Sequence, residues 1–161
     1  MRDEDRYREY VVARAAALRR TAFLLCGDWH RAEDAVQHVL IALYVSPPRQ
    51  WQAVDAWVRT ALVRRLVDES RRPWRRHERP APQLPDTAQA AAGDEASGER
   101  AVLLAALAAL PARQRAVVVL RYWDDLSVAE TAHALGISEG TVKSHASRGL
   151  AALRSDLERT R

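Results

Sequence analysis

The stretch that most constrains the fold is 126–148, because it has the pattern of two helices joined by a tight turn. Ser127 precedes a helical run and Glu130 follows it by three residues, which is the spacing of a capping box. Gly136 stands where a chain leaving a helix often needs a positive φ. Ser138 is then a suitable N-cap for a second helix. The sequence therefore predicts a helix-turn-helix.

The second helix of this motif is predicted to have one apolar face and one small, basic face. Val142, Ala146 and Leu153 recur at the spacing of a buried helical stripe. The opposite side and its flanks carry Gly140, Thr141, Lys143, Ser144, Ser147 and Arg148. Small residues allow close approach to a double helix, and the two cations can contact phosphates or guanine edges. We therefore favour DNA binding over an ordinary helical hairpin with a solvated polar face.

No segment of the 161-residue chain shows the alternation of a β-strand, so the predicted fold class is all-α. Helical periodicity occupies residues 1–79, as a three-helix module, and residues 99–161. The stretch between them, 80–98, is rich in proline, alanine, glutamine and acids, a composition typical of a flexible linker. The sequence therefore predicts two small helical domains joined by a flexible linker.

The single cysteine and the lack of long apolar runs bear on where in the cell the protein is located. Cys26 has no second cysteine to pair with, so no internal disulfide is expected, and its apolar neighbours predict a buried thiol. This cysteine usage fits a cytoplasmic protein. No secretory signal is apparent, and no apolar run is long enough to cross a bilayer. The formal net charge of +4 alone says little about function.

One helix of the first module, about 30–45, has an unusual outer face. Asp34, Gln37 and His38 share that face with Ile41 and Val45. An aliphatic side chain among polar ones suggests a binding partner. Isolated surface hydrophobes are also common, so the pattern alone leaves both interpretations open.

A basic region with interleaved tryptophans follows that helix. It includes Arg59, Arg64 and Arg65, followed by a cluster of Arg71, Arg72, Arg75, Arg76 and Arg79 with Trp74. Arginines and tryptophans can bind nucleic-acid strands by charge and by stacking. The alternative is a solvated basic tail, and the helix-turn-helix in the same chain favours nucleic-acid contact.

The order of these features resembles bacterial sigma factors of the extracytoplasmic-function group, which keep only sigma regions two and four. Ala32-Glu-Asp-Ala-Val-Gln37 resembles the region-two helix that docks on polymerase. Leu110-Pro-Ala-Arg-Gln-Arg115, Leu120-Arg-Tyr122 and Gly140-Thr-Val-Lys-Ser144 resemble region four. Each piece is weakly specific alone, whereas their order and spacing are strongly specific.

The resemblance implies a role for each group of residues. The core-polymerase contacts, on the β′ clamp coiled coil, would be Asp34, Gln37, His38 and Ile41. The minus-ten contacts would be Arg49, Trp51, Trp57, Arg64, Arg71 and Arg72. The minus-thirty-five contacts would be Arg121, Thr141, Lys143, Ser144, Ser147 and Arg148. The expected partners are core RNA polymerase, including its β flap, promoter DNA and an anti-sigma factor.

Two residues depart from the pattern that the resemblance implies. His38 stands where the family commonly has an acid, which puts the affinity for the clamp in question. Arg64 stands where an asparagine is common. Arginine and asparagine present different hydrogen-bonding edges to bases, so the downstream promoter preference is in question too.

Two other classes of protein compete with this interpretation. A LuxR-type transcription regulator fits Thr141-Val-Lys-Ser-His145 nearly as well, but such a regulator usually carries a sensor domain with strands. An enzyme is the second alternative, since Asp34 and His38 lie one helical turn apart. The chain has no His-Glu-x-x-His pattern and no glycine-rich phosphate loop. We therefore expect no catalytic residues, no metal, no cofactor and no small-molecule substrate.

Overall fold

The computed structural model describes residues 3–70 and 94–161, and these residues form helices and turns without strands. The predicted all-α fold class is confirmed for this part of the chain. The predicted DNA contacts of Arg71 and Arg72 lie outside the described residues, as does the linker from 80 to 93. None of the described helices is long and apolar enough to cross a membrane.

The first group of helices contains α1 (Asp3–Cys26), α2 (Trp29–Val45) and α3 (Val54–Ser70), with a 3₁₀ turn (Trp51–Ala53) before α3. Gly27 has a φ of 74°, which turns the chain between α1 and α2. The side chain of Asp28 then accepts hydrogen bonds from the backbone of His30 and Arg31, so it is the N-cap of α2.

The second group contains α4 (Asp94–Ala109), α5 (Ala112–Val118), α6 (Val128–Leu135) and α7 (Glu139–Thr160). The α4 helix begins at Asp94, ahead of the start at 99 that the composition of the linker predicts. The segment Val119–Trp123 is a π-helical turn, where apolar periodicity predicts a plain continuation of α5. Asp125 follows it with a φ of 54°, the one non-glycine residue of the described chain with a positive φ.

The apolar cores of the two groups are continuous. Leu43 and Leu62 of the first group and Leu120 of the second are almost completely buried, and one cluster of buried residues includes all three. Burial of a leucine of this size stabilises the fold by about 1.5–3 kcal/mol. Helix α1 packs against α4 and α5, and α3 packs against α5 and α6. The two predicted domains are therefore in contact with each other in this structure.

Candidate nucleic-acid interface

The helix-turn-helix has the caps that the sequence predicts. The backbone N–H of Glu130 donates to Oγ of Ser127 at 3.0 Å, and the backbone N–H of Ser127 donates to the Glu130 carboxylate at 3.2 Å. Gly136 ends α6 with a φ of 65°. Oγ of Ser138 accepts from the backbone N–H of Thr141 at 3.1 Å and so starts α7. These caps fix where each helix begins and ends.

Helix α7 presents a small, basic surface to solvent. Val142 is fully buried and Ala146 is nearly so, and both pack with Val117 of α5 and Ala132 of α6. The opposite face is exposed and carries Lys143, Ser144, Ser147 and Arg148. The structure therefore brings four of the predicted minus-thirty-five residues onto one open helix face.

Thr141 and Arg121, the other two predicted minus-thirty-five residues, are more constrained. The hydroxyl of Thr141 lies 2.8 Å from Oγ of Ser138, within the cap of α7. Nη1 of Arg121 donates to the backbone oxygen of Leu126 at 2.6 Å, and its guanidinium lies 5.6 Å from the ring centroid of Tyr122. Both side chains are half-buried. Each one thus supports the local fold of the motif, and its contact with DNA stays a prediction.

Helix α2 presents the predicted polymerase-docking residues on its outer face. Asp34, Gln37, His38 and Ile41 are all exposed, and Ile41 is 59% exposed. Nδ1 of His38 lies 2.8 Å from the backbone oxygen of Asp34, one turn earlier. This contact fixes the orientation of the imidazole ring relative to α2.

The apolar part of this face includes Tyr44, which the sequence analysis did not place there. Tyr44 is 60% exposed and Val45 is 72% exposed, next to Ile41. The ring of Tyr44 packs edge-on against Tyr7 of α1, with centroids 5.2 Å apart. Tyr44 was missed as a candidate contact, although its spacing of three residues from Ile41 places both on the same side of a helix.

The described minus-ten candidates lie around the start of α3. Arg49 is exposed in the loop after α2, whereas Trp51 and Trp57 are half-buried. The ring of Trp51 packs edge-on against Tyr10, with centroids 6.4 Å apart. Burial is the main cause that raises the pKa of Tyr10, and this phenol remains neutral at physiological pH. Trp51, just before α3, therefore packs against the uncharged aromatic ring of Tyr10.

Arg64 is placed differently from the other candidates. Its Nε and Nη2 atoms donate to the backbone oxygens of Ala134 and His133, each at 3.3 Å. Both acceptors lie at the C-terminal end of α6. A residue predicted to read DNA is thus bonded to the helix-turn-helix of its own chain.

Two further contacts join the helical groups, and sequence reasoning missed both. Oγ1 of Thr21 donates to Asp124 at 2.9 Å. Nη1 of Arg115 donates to the backbone oxygen of Leu25 at 2.9 Å. Burial is the main cause that raises the pKa of Asp124, and the hydrogen bond from Thr21 opposes that rise. The residues of each pair are far apart in the sequence, so no local pattern could have indicated them.

The described residues offer no evident site for metal or thiol chemistry. No group of three or more His, Cys, Asp and Glu residues in ranges 3–70 and 94–161 is arranged to hold a metal ion. Cys26 is half-buried, and burial is the main cause that raises the pKa of its thiol. A thiol with a raised pKa is a poor nucleophile at neutral pH.

Comparison with known families and proteins identifies both helical groups. Residues 10–76 match the sequence model of Sigma-70 region 2, and residues 100–153 match that of Sigma-70, region 4. The chain is 41% identical over 157 residues to the RNA polymerase sigma-E factor of Streptomyces avermitilis, covering 94% of this chain and 85% of the relative. It is 34% identical over 149 residues to the ECF RNA polymerase sigma factor SigL of Mycobacterium tuberculosis, covering 89% and 84%.

A solved structure has the same fold. It is that of the sigma factor RpoE from Bartonella quintana in complex with the anti-sigma factor NepR, with a TM-score of 0.77. The match covers 96% of this chain and 98% of that one at 24% sequence identity.

Proposed function

The chain belongs to the sigma-70 family and is an RNA polymerase sigma factor of the extracytoplasmic-function group, and we propose that three of its faces divide the work of promoter recognition. The exposed face of α2 docks core RNA polymerase. The loop before α3 and α3 itself read the minus-ten element. Helix α7 reads the minus-thirty-five element. The functional units are residues 1–79 and 99–161, joined by 80–98.

The main support for this proposal is that the apolar and the polar residues of α7 lie on opposite faces. Its apolar side is buried against α5 and α6, while Lys143, Ser144, Ser147 and Arg148 share the open side. Small residues let a helix approach the double helix closely, and cations can contact phosphates and guanine edges. The ordinary surface of a solvated helix would carry larger side chains and a mixture of charges.

The face of α2 supports the docking role. Ile41, Tyr44 and Val45 expose apolar surface beside the acid of Asp34 and the amide of Gln37. Protein interfaces commonly place aromatic and aliphatic anchors inside a polar rim. The proposed partner is the clamp coiled coil of the β′ subunit, and the β flap is proposed to bind the second functional unit.

The loop and helix around Trp51 and Trp57 support the minus-ten role. Arg49 is exposed beside them, and a strand that leaves the duplex can stack its bases on aromatic rings and pair its phosphates with arginines. Arg71 and Arg72 are proposed to extend this basic surface.

Members of the family are sigma factors, which are not enzymes, and we propose that polymerase alone performs the nucleotidyl transfer. The Bartonella relative is in complex with an anti-sigma factor. By analogy, an anti-sigma factor is proposed to control this chain. A cytoplasmic location follows from the proposed partnership with polymerase and DNA.

Run-off transcription with core polymerase on a library of promoter fragments tests the function directly. The expected result is a defined subset of transcribed fragments that share two sequence elements at fixed spacing. Core polymerase without the chain is the control. A chain that binds the fragments but gives no transcript with core polymerase would instead favour the LuxR-type regulator.

A further inference from the structure

Helix α1 and the second group of helices line an open apolar cavity of about 570 Å³. Its floor consists of buried side chains from several elements, namely Phe23 of α1, Leu107 of α4, Val118 of α5, Val119 of the π-helical turn and Leu153 of α7. Pockets that hold small molecules in proteins commonly have volumes of about 300–1,000 Å³ and mostly apolar walls. The cavity therefore has the size and the lining of a small-molecule site.

The rim of the cavity exposes large apolar side chains. Leu103 is 48% exposed, Tyr122 is 50% exposed and Trp123 is 57% exposed, and all three line the cavity. Trp29 also lines it, and its indole stacks on the ring of Phe23 with centroids 4.2 Å apart. Large apolar side chains left exposed around a concave surface indicate a place where a ligand binds.

Two arginines give this rim a positive charge. Arg20 of α1 and Arg100 of α4 are exposed, and they line the cavity from the two helical groups. No carboxylate lines it in the part of the chain that the structure describes. A third cation, Arg19, lies 5.9 Å from the ring centroid of Trp29, but it is paired with Glu33 at 2.6 Å. A ligand with an anionic group would therefore complement the charge of the rim.

We propose that this cavity binds a medium-chain fatty acid, with the apolar chain against the floor and the carboxylate at Arg20 and Arg100. Arginine suits a carboxylate because its planar guanidinium donates two parallel hydrogen bonds. A protein partner fits the cavity less well, since a stable protein interface uses about 20–30 residues on each side, more than line this cavity. None of the residues assigned to polymerase or promoter DNA lines it, so the site is additional to the proposed function.

Isothermal titration calorimetry of the full-length chain with sodium decanoate tests the proposal. The expected result is saturable binding at one site per chain, at concentrations that leave the helices intact by circular dichroism. Decanol has the same chain without the charge and should bind about tenfold more weakly, the change that corresponds to two ionic contacts at an exposed rim. Octanoate should bind about fourfold more weakly than decanoate for each methylene that it lacks.

Charge variants of the rim separate the carboxylate contact from simple apolar adsorption. Arg20→Gln combined with Arg100→Gln should weaken decanoate binding about tenfold and leave decanol binding unchanged. Arg154→Gln combined with Arg161→Gln is the matched control, because it removes the same total charge at exposed positions that do not line the cavity. Leu103→Glu adds a carboxylate to the rim and should weaken decanoate binding more than decanol binding, because like charges repel.

Tryptophan fluorescence locates the bound ligand. Trp29 and Trp123 line the cavity, whereas Trp51 and Trp57 do not. A bromine atom quenches an indole only at short range, so decanoate brominated at its last carbon should quench the wild-type chain. Trp29→Phe combined with Trp123→Phe should lose most of this quenching, although both positions keep an aromatic ring.

Any of four results would overturn the proposal. The first is the absence of saturable decanoate binding. The second is equal decanoate binding by the wild type and the variant that lacks Arg20 and Arg100, which would show apolar adsorption only. The third is unchanged quenching after replacement of Trp29 and Trp123, which would place the ligand elsewhere. The fourth is binding of an acidic amphipathic peptide at this rim in preference to decanoate, which would make the cavity a protein-docking site.

Discussion

Gly149 of α7 lies so close to Val118 of α5 that a Cβ atom added to the glycine would come within 2.8 Å of Cγ2 of the valine. Both residues are buried. The recognition helix is therefore positioned by direct contact between its backbone and α5. Gly149 is needed for this close approach, and its backbone φ is not in the left-handed region.

Gly149→Ala should destabilise the chain by about 1–3 kcal/mol, because overpacking a buried contact forces neighbours to move. The higher helix propensity of alanine offsets part of this cost. The measurement is thermal or urea unfolding. Gly140→Ala is the matched control, since its Cβ would lie 3.9 Å from Oγ of Ser138 in ordinary contact. An additional Val118→Ala substitution should restore part of the loss, and equal stability of Gly149→Ala and the wild type would contradict the argument.

The capping box of α6 should make part of the stability depend on pH. The hydrogen bond from the backbone of Ser127 is the main cause that lowers the pKa of Glu130 below its ordinary 4.5. A carboxylate with a lowered pKa stabilises the fold above the pKa of the unfolded chain, and this contribution is lost as the pH falls through the folded value. Glu130→Gln keeps a hydrogen-bonding group that does not titrate, so its loss of stability in acid should be smaller.

Urea unfolding at several pH values between about 7 and 3 checks this expectation. Ser127→Ala removes the other half of the capping box and should cost about 1 kcal/mol at neutral pH. Identical pH profiles for Glu130→Gln and the wild type would show that the carboxylate makes no such contribution.

The two cations of α7 should have different effects on DNA binding. Arginine offers a planar fork that matches the O6 and N7 atoms of guanine, whereas lysine acts as a flexible point charge. Arg148→Ala should cost about 1–3 kcal/mol and relax the preference at one upstream promoter position. Lys143→Ala should weaken binding to all sequences alike and reduce the salt dependence by about one phosphate contact.

Promoter binding and transcription by the holoenzyme, at several salt concentrations and on single-base upstream variants, separate these two roles. Ser144→Leu should block entry of the helix to the groove. A uniform loss for Arg148→Ala, with every base preference unchanged, would reassign Arg148 as a backbone contact.

The apolar face of α2 should dominate the affinity for core polymerase. Ile41→Glu and Tyr44→Ala should each reduce binding by at least about tenfold, the loss expected when a central anchor of an interface is removed. Asp34→Ala should have a smaller effect. Val12→Glu is the control, because Val12 is 87% exposed on α1 and belongs to no proposed interface. Retention of polymerase by both apolar variants, at wild-type levels and with helicity intact, would contradict this assignment.

The helix-turn-helix was predictable from the sequence because its signals are local. Ser127, Glu130, Gly136 and Ser138 act within one or two turns of their own positions, and the caps that they predict are confirmed. The contact of Arg64 with α6 depends on two residues 70 positions apart. No periodicity in a single chain records such a pairing, so the basic surroundings of Arg64 and the resemblance to the family both pointed to DNA and gave no sign of the contact with α6.

The segment before α6 is a second feature that the sequence could not predict. Apolar periodicity predicts an α-helix through Val119–Trp123, but that turn is π-helical. The apolar pattern records which side chains are buried, and it does not distinguish the number of residues per turn over so short a stretch. The position of Asp124 beside Thr21 follows from this turn and was equally hidden.

Arg115 bonds the corner between α4 and α5 and also contacts the other half of the chain. Its guanidinium donates to four backbone oxygens, and three of them, on Leu107, Ala108 and Leu110, belong to the same half as the arginine. The bond to Leu25 crosses to the other half. Separation of the halves would break the bond to Leu25 and expose the apolar surface that the two halves share, while the three bonds at the corner between α4 and α5 would remain. The hydrogen bonds that shape this corner therefore do not depend on the contact between the halves.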